Sequence, residues 1–416
     1  MKPAMRLLHT SDWHLGQTLH GHERGWEHQQ FLDWLLDVLV EHDIDALLVS
    51  GDIFDNANPS AASQRMLYRF LTAARDRVPH LNIVLIAGNH DSPGRLEAPA
   101  PFLESFDARV VGVVGHDAAG EIDVAKLVVP LRDRAGEVAA WCLAIPFLRL
   151  SDVPRLETQG DAYLAGIAAL YRQVQTHAQT LRQPGQALIA LGHCHMAGGQ
   201  VSEQSERRIV IGGAEMLSGT LFDADIAYAA LGHLHLAQKV GGQERIRYSG
   251  SPLPLSFAEI DYPHQVLMVE LDGAALTAVE SIAVPRAVPL LRVPKIAAPL
   301  SEVEAALAAL EIEAVTSEAQ PYLEVRVLLD QPEPGLRARI ETALAGKPVR
   351  LACIDARVAK RDNAESVAPL SLDELGQLDP LEIFNNAYAA KYGDAPPSEM
   401  LAAFNEILNL PDEVQA

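Results

Sequence analysis

The sequence predicts an α/β protein: a parallel-sheet domain, then a smaller α/β unit, then a pair of short helices. Three observations carry this expectation. Five short runs rich in Leu, Ile, Val and Ala each end abruptly in a polar cluster, and apolar runs of that length read as buried strands. Two amphipathic helical patterns separate the first three runs, giving strand, helix, strand, helix, strand. Beyond Pro285 the texture changes to a second, shorter series of elements.

The strand runs lie at 6–9 (RLLH), 44–50 (IDALLVS), 82–87 (NIVLIA), 186–191 (QALIAL) and 226–231 (IAYAAL). Leu32, Leu35, Leu36 and Leu39 have the i, i+3, i+4, i+7 spacing of a helix with one apolar face. Leu67, Phe70, Leu71 and Ala74 repeat it after Ser60, a candidate N-cap. Right-handed crossovers then place the strand ends along one edge, where open α/β sheets bind ligands. The later unit reads as a strand at 290–293, a helix at 301–310, an alternating strand at 322–329, a helix after Pro334 and a strand at 349–354. A polar stretch, VAKRDNAESVAP, precedes two short helices with apolar rows Leu381, Phe384, Tyr388 and Leu401, Phe404, Leu408. Asp379-Pro380 and Pro397-Ser398 supply their starts and Gly393 a stop. The expected divisions are 1–284, 285–358, a linker at 359–370 and a helical segment at 371–416.

A chain of 416 residues is long enough for two or three domains. No segment approaches the ~18 uninterrupted apolar residues of a membrane span, so no membrane partner is expected. The N-terminus, MKPAMRLLHTSD, turns polar before an apolar core of signal-peptide length can form. Three cysteines, Cys142, Cys194 and Cys353, are too few for a disulfide framework. A reducing cytoplasm is the expected location. The formal charge of −22 repels nucleic acid at long range, so a phosphate substrate must be gripped locally. From Arg361 onward two basic residues face eleven acidic ones, net −9, which argues against a DNA surface there. All fifteen histidines fall between His9 and His264, and the chemistry is expected in that span.

Each strand end carries candidate metal ligands: Asp12-Trp-His14; Gly51-Asp52 with Asp55; Gly88-Asn89-His90-Asp91; Gly192-His193-Cys-His195; and Gly232-His233-Leu-His235. Taken singly, each has an ordinary reading as a cap, a turn or a surface pair. Their joint occurrence at five strand ends points to one site. Imidazole, carboxylate and carboxamide together suit manganese, iron or zinc; magnesium or calcium sites use mainly oxygen, and a structural zinc recruits paired cysteines. The ligands outnumber what one ion uses. Two ions about 3.5 to 4 Å apart, sharing a carboxylate, would clamp the attacking and leaving oxygens of a phosphoester.

These five motifs resemble those of the calcineurin-like metallophosphoesterases. Within that family, HTSDWHLG, GDIFDNANPS, AGNHDSPGRL, HMAGGQVSEQSERR and GHLH followed by RYSGSPLPLSF closely resemble the bacterial SbcD-type nuclease subunits. The similarity covers residues 5 to about 265, and the C-terminal helices less specifically. It implies a two-layered β-sandwich flanked by helices, the metallophosphoesterase fold; the small α/β domain expected to cap it matches in position and texture only, and the C-terminal helical pair is expected to dock a partner. It assigns Asp12, His14 and His235 to a first metal, Asp52 to the bridge, and Asn89, His193 and His233 to a second metal, with His90 as the acid-base group. Asp55 stands where the archaeal and eukaryotic branch has a histidine, and reads either as a turn partner or as a direct participant. Cys194 and His195 depart from the apolar residues often found there. Asp91 is expected to orient His90 or a ligand.

The resemblance further implies manganese-dependent DNA cleavage: exonuclease action on duplex ends and endonuclease action on single strands and hairpins, in repair and recombination. His90, with an ordinary pKa near neutrality, suits proton transfer to the leaving 3′ oxygen. The implied partners are DNA, an SbcC-type coiled-coil ATPase and a second copy of this chain, as a homodimer within a heterotetramer. Leu67, Phe70 and Leu71 read as either a dimer face or core, and Arg24, Arg65, Arg69 and Arg95 as either DNA contacts or solvated residues. A protein phosphatase of the superfamily usually carries GDxxDRG and GNHE, and here Asn56 and Asp91 depart from both. A small-molecule phosphodiesterase shares the motifs but rarely so long an extension, and a non-enzymatic scaffold would tolerate ligand loss, of which there is none.

Overall fold

Burial on both faces of the first strands sets the layers of the fold. The computed structural model describes residues 5–104, 107–156, 158, 161–200, 216–358, 380–397, 400, 401 and 404. The expected linker at 359–370, the flanking 371–379, Leu408 and part of the HMAGGQVSEQSERR run lie outside the described residues. The chain divides into two units, Met1–Val288 and Pro289–Ala416.

The first unit runs β1 (Met5–Thr10), a small hairpin of β2 (Thr18–Leu19) and β3 (His22–Glu23), α1 (Gly25–Glu41), β4 (Ala46–Ser50), α2 (Ala61–Arg77), β5 (Asn82–Ile86), the short α3 (Pro93–Glu97) and α4 (Ala100–Leu103), and β6 (Ala108–Val111). It continues with β7 (Val128–Arg132), β8 (Val138–Ala144), α5 (Ala162–Leu181), β9 (Ala187–His193), β10 (Ile226–Gly232), β11 (Gln238–Lys239), β12 (Ile246–Tyr248), β13 (Gln265–Asp272) and β14 (Ala275–Ala283). One six-stranded sheet has the order β14-β13-β1-β4-β5-β6 and the other β11-β12-β10-β9-β8-β7. In the first, β1, β4, β5 and β6 are parallel and β13 returns antiparallel to β1.

The protein is thus a two-layered β-sandwich flanked by helices. Periodicity alone predicts a single parallel sheet, and the structure instead shares the five runs between two mixed sheets. An apolar strand is buried on both faces whether a helix or a second sheet covers it, so composition does not separate the two cases. Leu7, Leu48, Val84 and Ile86 face inward and share one cluster with Ala140, Cys142, Ile189 and Leu231 of the other sheet. The opposite pleat, Leu8, Leu47 and Leu85, packs under Leu35 and Leu39 of α1 and Leu67, Phe70 and Leu71 of α2. Those three α2 side chains are therefore core rather than an exposed dimer face. Ser60 caps α2, its Oγ accepting from the N–H of Ser63 at 3.1 Å.

In the second unit β15 (Leu290–Pro299), α6 (Leu300–Ala308), β16 (Tyr322–Leu329), α7 (Leu336–Ala343) and β17 (Arg350–Val358) form a parallel three-stranded sheet in the order β15-β16-β17. Leu323, Val325 and Val327 pack against Val303 and Leu307 of α6 and Ile340 of α7. On the other face Glu324 takes ion pairs from Arg292 and Arg326. A further helix, α8 (Pro380–Tyr392), stacks Phe384 on Phe404 with ring centroids 4.2 Å apart. Among the described residues no helix is long and apolar enough to cross a membrane.

Candidate metal centre

The two sheets meet most closely where their polar strand ends converge. A Cβ on Gly232 would lie 1.9 Å from the carbonyl oxygen of Ser50, and one on Gly51 would lie 2.3 Å from Nδ1 of His193, so glycine is what lets the sheets approach. Hydrogen bonds cross the same seam, Ser50 Oγ donating to the carbonyl of Ala230 at 2.9 Å and His193 Nδ1 donating to that of Ser50 at 2.8 Å. Asp12, His14, Asp52 and His233 all have positive φ, from 46° to 103°. Such backbone costs about 1–3 kcal/mol per residue and clusters at functional sites. Trp13 anchors the first motif: fully buried, it packs edge-on against Phe31 and Phe70 at 5.7 and 5.5 Å and turns Asp12 and His14 to the seam.

Three groups gather ligand atoms that all lie within 4.8 Å of one another: Asp12, His14 and His235; His14, Asp52 and His90; and Asp12, Asp52 and His193. Asp52 Oδ2 is 3.6 Å from His14 Nε2 and 3.4 Å from His193 Nε2. Asn89 Oδ1 is 3.0 Å from both His193 Nε2 and His233 Nδ1. The seven residues assigned as ligands thus meet along one seam, six of them buried and Asn89 half-buried. Asp12 is fixed by Ser11 Oγ, which donates to Oδ2 at 2.5 Å, and by the N–H of His233, which donates to Oδ1 at 3.0 Å.

The donor set fits divalent cations. His14 Nε2 is buried with no hydrogen-bond partner. In a neutral His193 the Nδ1 proton goes to Ser50, so the Nε2 lone pair faces the oxygen of Asn89 at 3.0 Å, a contact that requires a proton or a cation between them. Electrostatics says the same. Burial would push the Asp52 carboxyl up, yet His193, His14 and His90 around it hold it well below the usual range. Burial would lower His193, and the facing Asp52 carboxylate raises it to about 9 instead. Asp52 is a buried carboxylate that demands positive charge.

His90 sits at the margin of this cluster, its ring 4.8 Å from that of His14 and its Nδ1 donating to the carbonyl of Asp55 at 2.6 Å. The Asp55 carboxylate faces His14 Nδ1 at 3.4 Å. Asp91 reaches neither imidazole among its hydrogen bonds; it accepts from the backbone N–H groups of Gly88, Ile53 and Phe54 and so ties the second motif to the third. Burial, reinforced by the neighbouring Asp52 charge, pushes Asp91 up to about 6 against those three N–H bonds. His195 lies 6.2 Å from the His233 ring and belongs to none of the three groups. Cys194 lines a cavity of about 50 Å³ with Phe147, Tyr163 and Tyr171, and burial pushes its thiol up to about 12. Arg24 is buried and donates to Glu27, Gln17 and Pro254, which removes it from the candidate DNA contacts; Arg65, Arg69 and Arg95 are exposed. Sequence reasoning missed Glu259, which accepts from His235 Nδ1 at 2.8 Å. It lies 24 residues beyond its partner, in a turn with no motif of its own.

Residues 5–237 match the calcineurin-like phosphoesterase family, and residues 286–392 match the family described as the type 5 capsule protein repressor C-terminal domain. Over 355 residues the chain is 42% identical to a Rhodobacter capsulatus protein named as the SbcD component of the nuclease SbcCD, covering 84% of this chain and 86% of that one. An Escherichia coli protein of the same name is 32% identical over 411 residues, covering 95% and 96%. A Bacillus subtilis protein, again so named, is 37% identical over 275 residues, covering 64% and 66%.

Proposed function

Since the chain belongs to the calcineurin-like phosphoesterase family, in its SbcD branch, and is a metal-dependent phosphodiesterase of nuclease type, we propose that it cleaves DNA with two manganese ions. The observation that supports this reading most is the convergence of two donor sets on one carboxylate. Asp12, His14 and His235 would hold one ion, Asn89, His193 and His233 the other, and Asp52 would be shared. Mixed nitrogen and oxygen donors without thiolate suit manganese. When bound, two such ions supply charge that screens the phosphodiester and acidifies water at neutral pH.

The chain's own groups do the rest. His90 donates through Nδ1 to the Asp55 carbonyl, so Nε2 is the atom that exchanges a proton with the 3′ oxygen. Ser50 and Glu259 fix the tautomers of His193 and His235. Asp91 holds the second and third motifs in register, so that Asp52, Asn89 and His90 stay together. With a net charge of −22, the phosphate is drawn in by the centre itself and by exposed arginines such as Arg65, Arg69 and Arg95.

The relatives' name makes each of them one component of the nuclease SbcCD, which supports a partner subunit for this chain; the family resemblance of its motifs adds the proposal that the partner is an SbcC-type coiled-coil ATPase and that the chain acts in the cytoplasm, as a homodimer within a heterotetramer, in DNA repair and recombination. Purified chain, with and without that ATPase, should be assayed with manganese on a blunt duplex with either end blocked, on a hairpin and on bis-p-nitrophenyl phosphate. Cleavage of duplex ends and of the hairpin is expected. Turnover of the small diester with neither DNA cleaved, ATPase present, would overturn the substrate and leave a small-molecule phosphodiesterase.

A further inference from the structure

We infer that Glu259 is a positioning residue for the metal centre, a buried carboxylate that sets the tautomer and basicity of His235. The inference rests on the reading of His235 as a ligand. Both side chains are buried, and His235 Nδ1 meets Glu259 Oε1 at 2.8 Å. A carboxylate can only accept, so Nδ1 carries the proton and Nε2 presents its lone pair to the Asp12 and His14 group. The carboxylate charge also stabilises positive charge on the ring, which strengthens the nitrogen as a donor to a cation.

Glu259 is itself held with unusual care. Its Oε2 accepts from the N–H of Leu255 at 2.7 Å, so the carboxylate bridges its own loop to the imidazole. That loop is braced from outside. The buried Arg24 donates to the carbonyl of Pro254 at 2.8 Å while its remaining nitrogens grip Glu27, and Gln17 Nε2 donates to that of Leu255 at 3.1 Å. His264 sits between the carbonyls of Ser251 and Glu259 at 2.9 and 3.2 Å. Placing charged Arg24 and Glu27 in the interior is costly unless every donor is used, and here they fix the turn that presents Glu259. The SGSPLPLSF run thus acts as a frame for one imidazole.

The test is a manganese titration by calorimetry on the full chain, with the melting temperature of the metal-free protein as a second readout. Glu259→Gln should weaken one of the two sites about 10- to 100-fold, the scale of lost outer partners of metal ligands, and leave the metal-free melting temperature close to wild type. Gln17→Ala removes one brace of the same loop but keeps the Glu259 carboxylate, and should weaken that site less than Glu259→Gln does. In a His235→Ala background, Glu259→Gln should weaken manganese binding no further. Unchanged sites in Glu259→Gln, an equal loss in Gln17→Ala, or an additive loss in the double variant would each overturn the positioning role. If His235→Ala alone binds both ions as wild type does, the ligand reading falls as well, an outcome distinct from failure of Glu259 alone.

Discussion

The backbone N–H of His90 donates to Asp52 Oδ1 at 2.8 Å, a bond that survives truncation of the ring. The two functions proposed for these residues are therefore separable by mutation. His90→Ala keeps that N–H, the conformation of the third motif and the position of Asn89. It should bind two manganese ions as wild type does and lose phosphodiester cleavage by about 10²- to 10⁴-fold, the scale of a general acid or base. Calorimetry and turnover on the same preparation check this. Wild-type turnover, or loss of an ion, would contradict the role.

Asp52→Asn makes the complementary case. Asparagine keeps an oxygen for the His90 N–H but removes the charge that His193, His14 and His90 now stabilise. If Asp52 is the shared ligand, one substitution should weaken both manganese sites by at least about tenfold, with cleavage lost and the fold retained. A titration showing two unaltered sites would refute the bridge.

Acid should destabilise the protein through buried histidines to which no ligand role is assigned. His28 is fully buried, neither ring nitrogen has a hydrogen-bond partner, and burial pulls its pKa down to about 3; burial does the same to His9. Both titrate near 6.5 in the unfolded chain, so between pH 6.5 and 3 the unfolded state binds more protons and stability falls as pH falls. Each group contributes about 1.4 kcal/mol per pH unit within that window. His28→Leu should flatten the decline by that amount and, since it removes two unpartnered nitrogens, should not lower stability at pH 7.5. Urea midpoints at pH 7.5, 6.5 and 5.5, in chelator, would show it; curves parallel to wild type would count against it.

The parts legible in sequence were those with local signatures. Each apolar run ends within two residues of its strand's end, because burial on both faces demands apolar residues and the functional turn demands their opposite. Trp13, Gly51 and Gly232 belong to the motifs for the same reason, serving as anchor and close approach. The second sheet was not legible from periodicity, since covering by helix or sheet leaves one composition. Glu259 and the buried state of Arg24 were also hidden, because each depends on a contact made across the fold: Glu259 with His235, and Arg24 with Pro254. Leu67, Phe70 and Leu71 were ambiguous because an amphipathic face does not say what covers it.

The acidic C-terminal segment is expected to dock the ATPase and to take no part in cleavage. Phe384 of α8 stacks on Phe404 with planes only 12° apart, so the two apolar rows meet there. Leu381, Tyr388 and Leu401 stay partly exposed around that stack. A helix of 13 residues is marginal in water, and the partly exposed apolar side chains beside the stack would suit a partner's groove. One basic residue against nine acidic ones beyond Pro369, and the absence of histidine, argue against a DNA contact or a part in the chemistry for this segment. Truncation after Pro369 should leave manganese-dependent cleavage of bis-p-nitrophenyl phosphate intact while abolishing co-purification with an SbcC-type ATPase and ATP-stimulated duplex digestion. Phe384→Ala in the full chain should weaken the association in the same direction without changing small-diester turnover. A truncated chain that still co-purifies at full stoichiometry would mean that the ATPase binds elsewhere and that the stacked helices serve only their own unit.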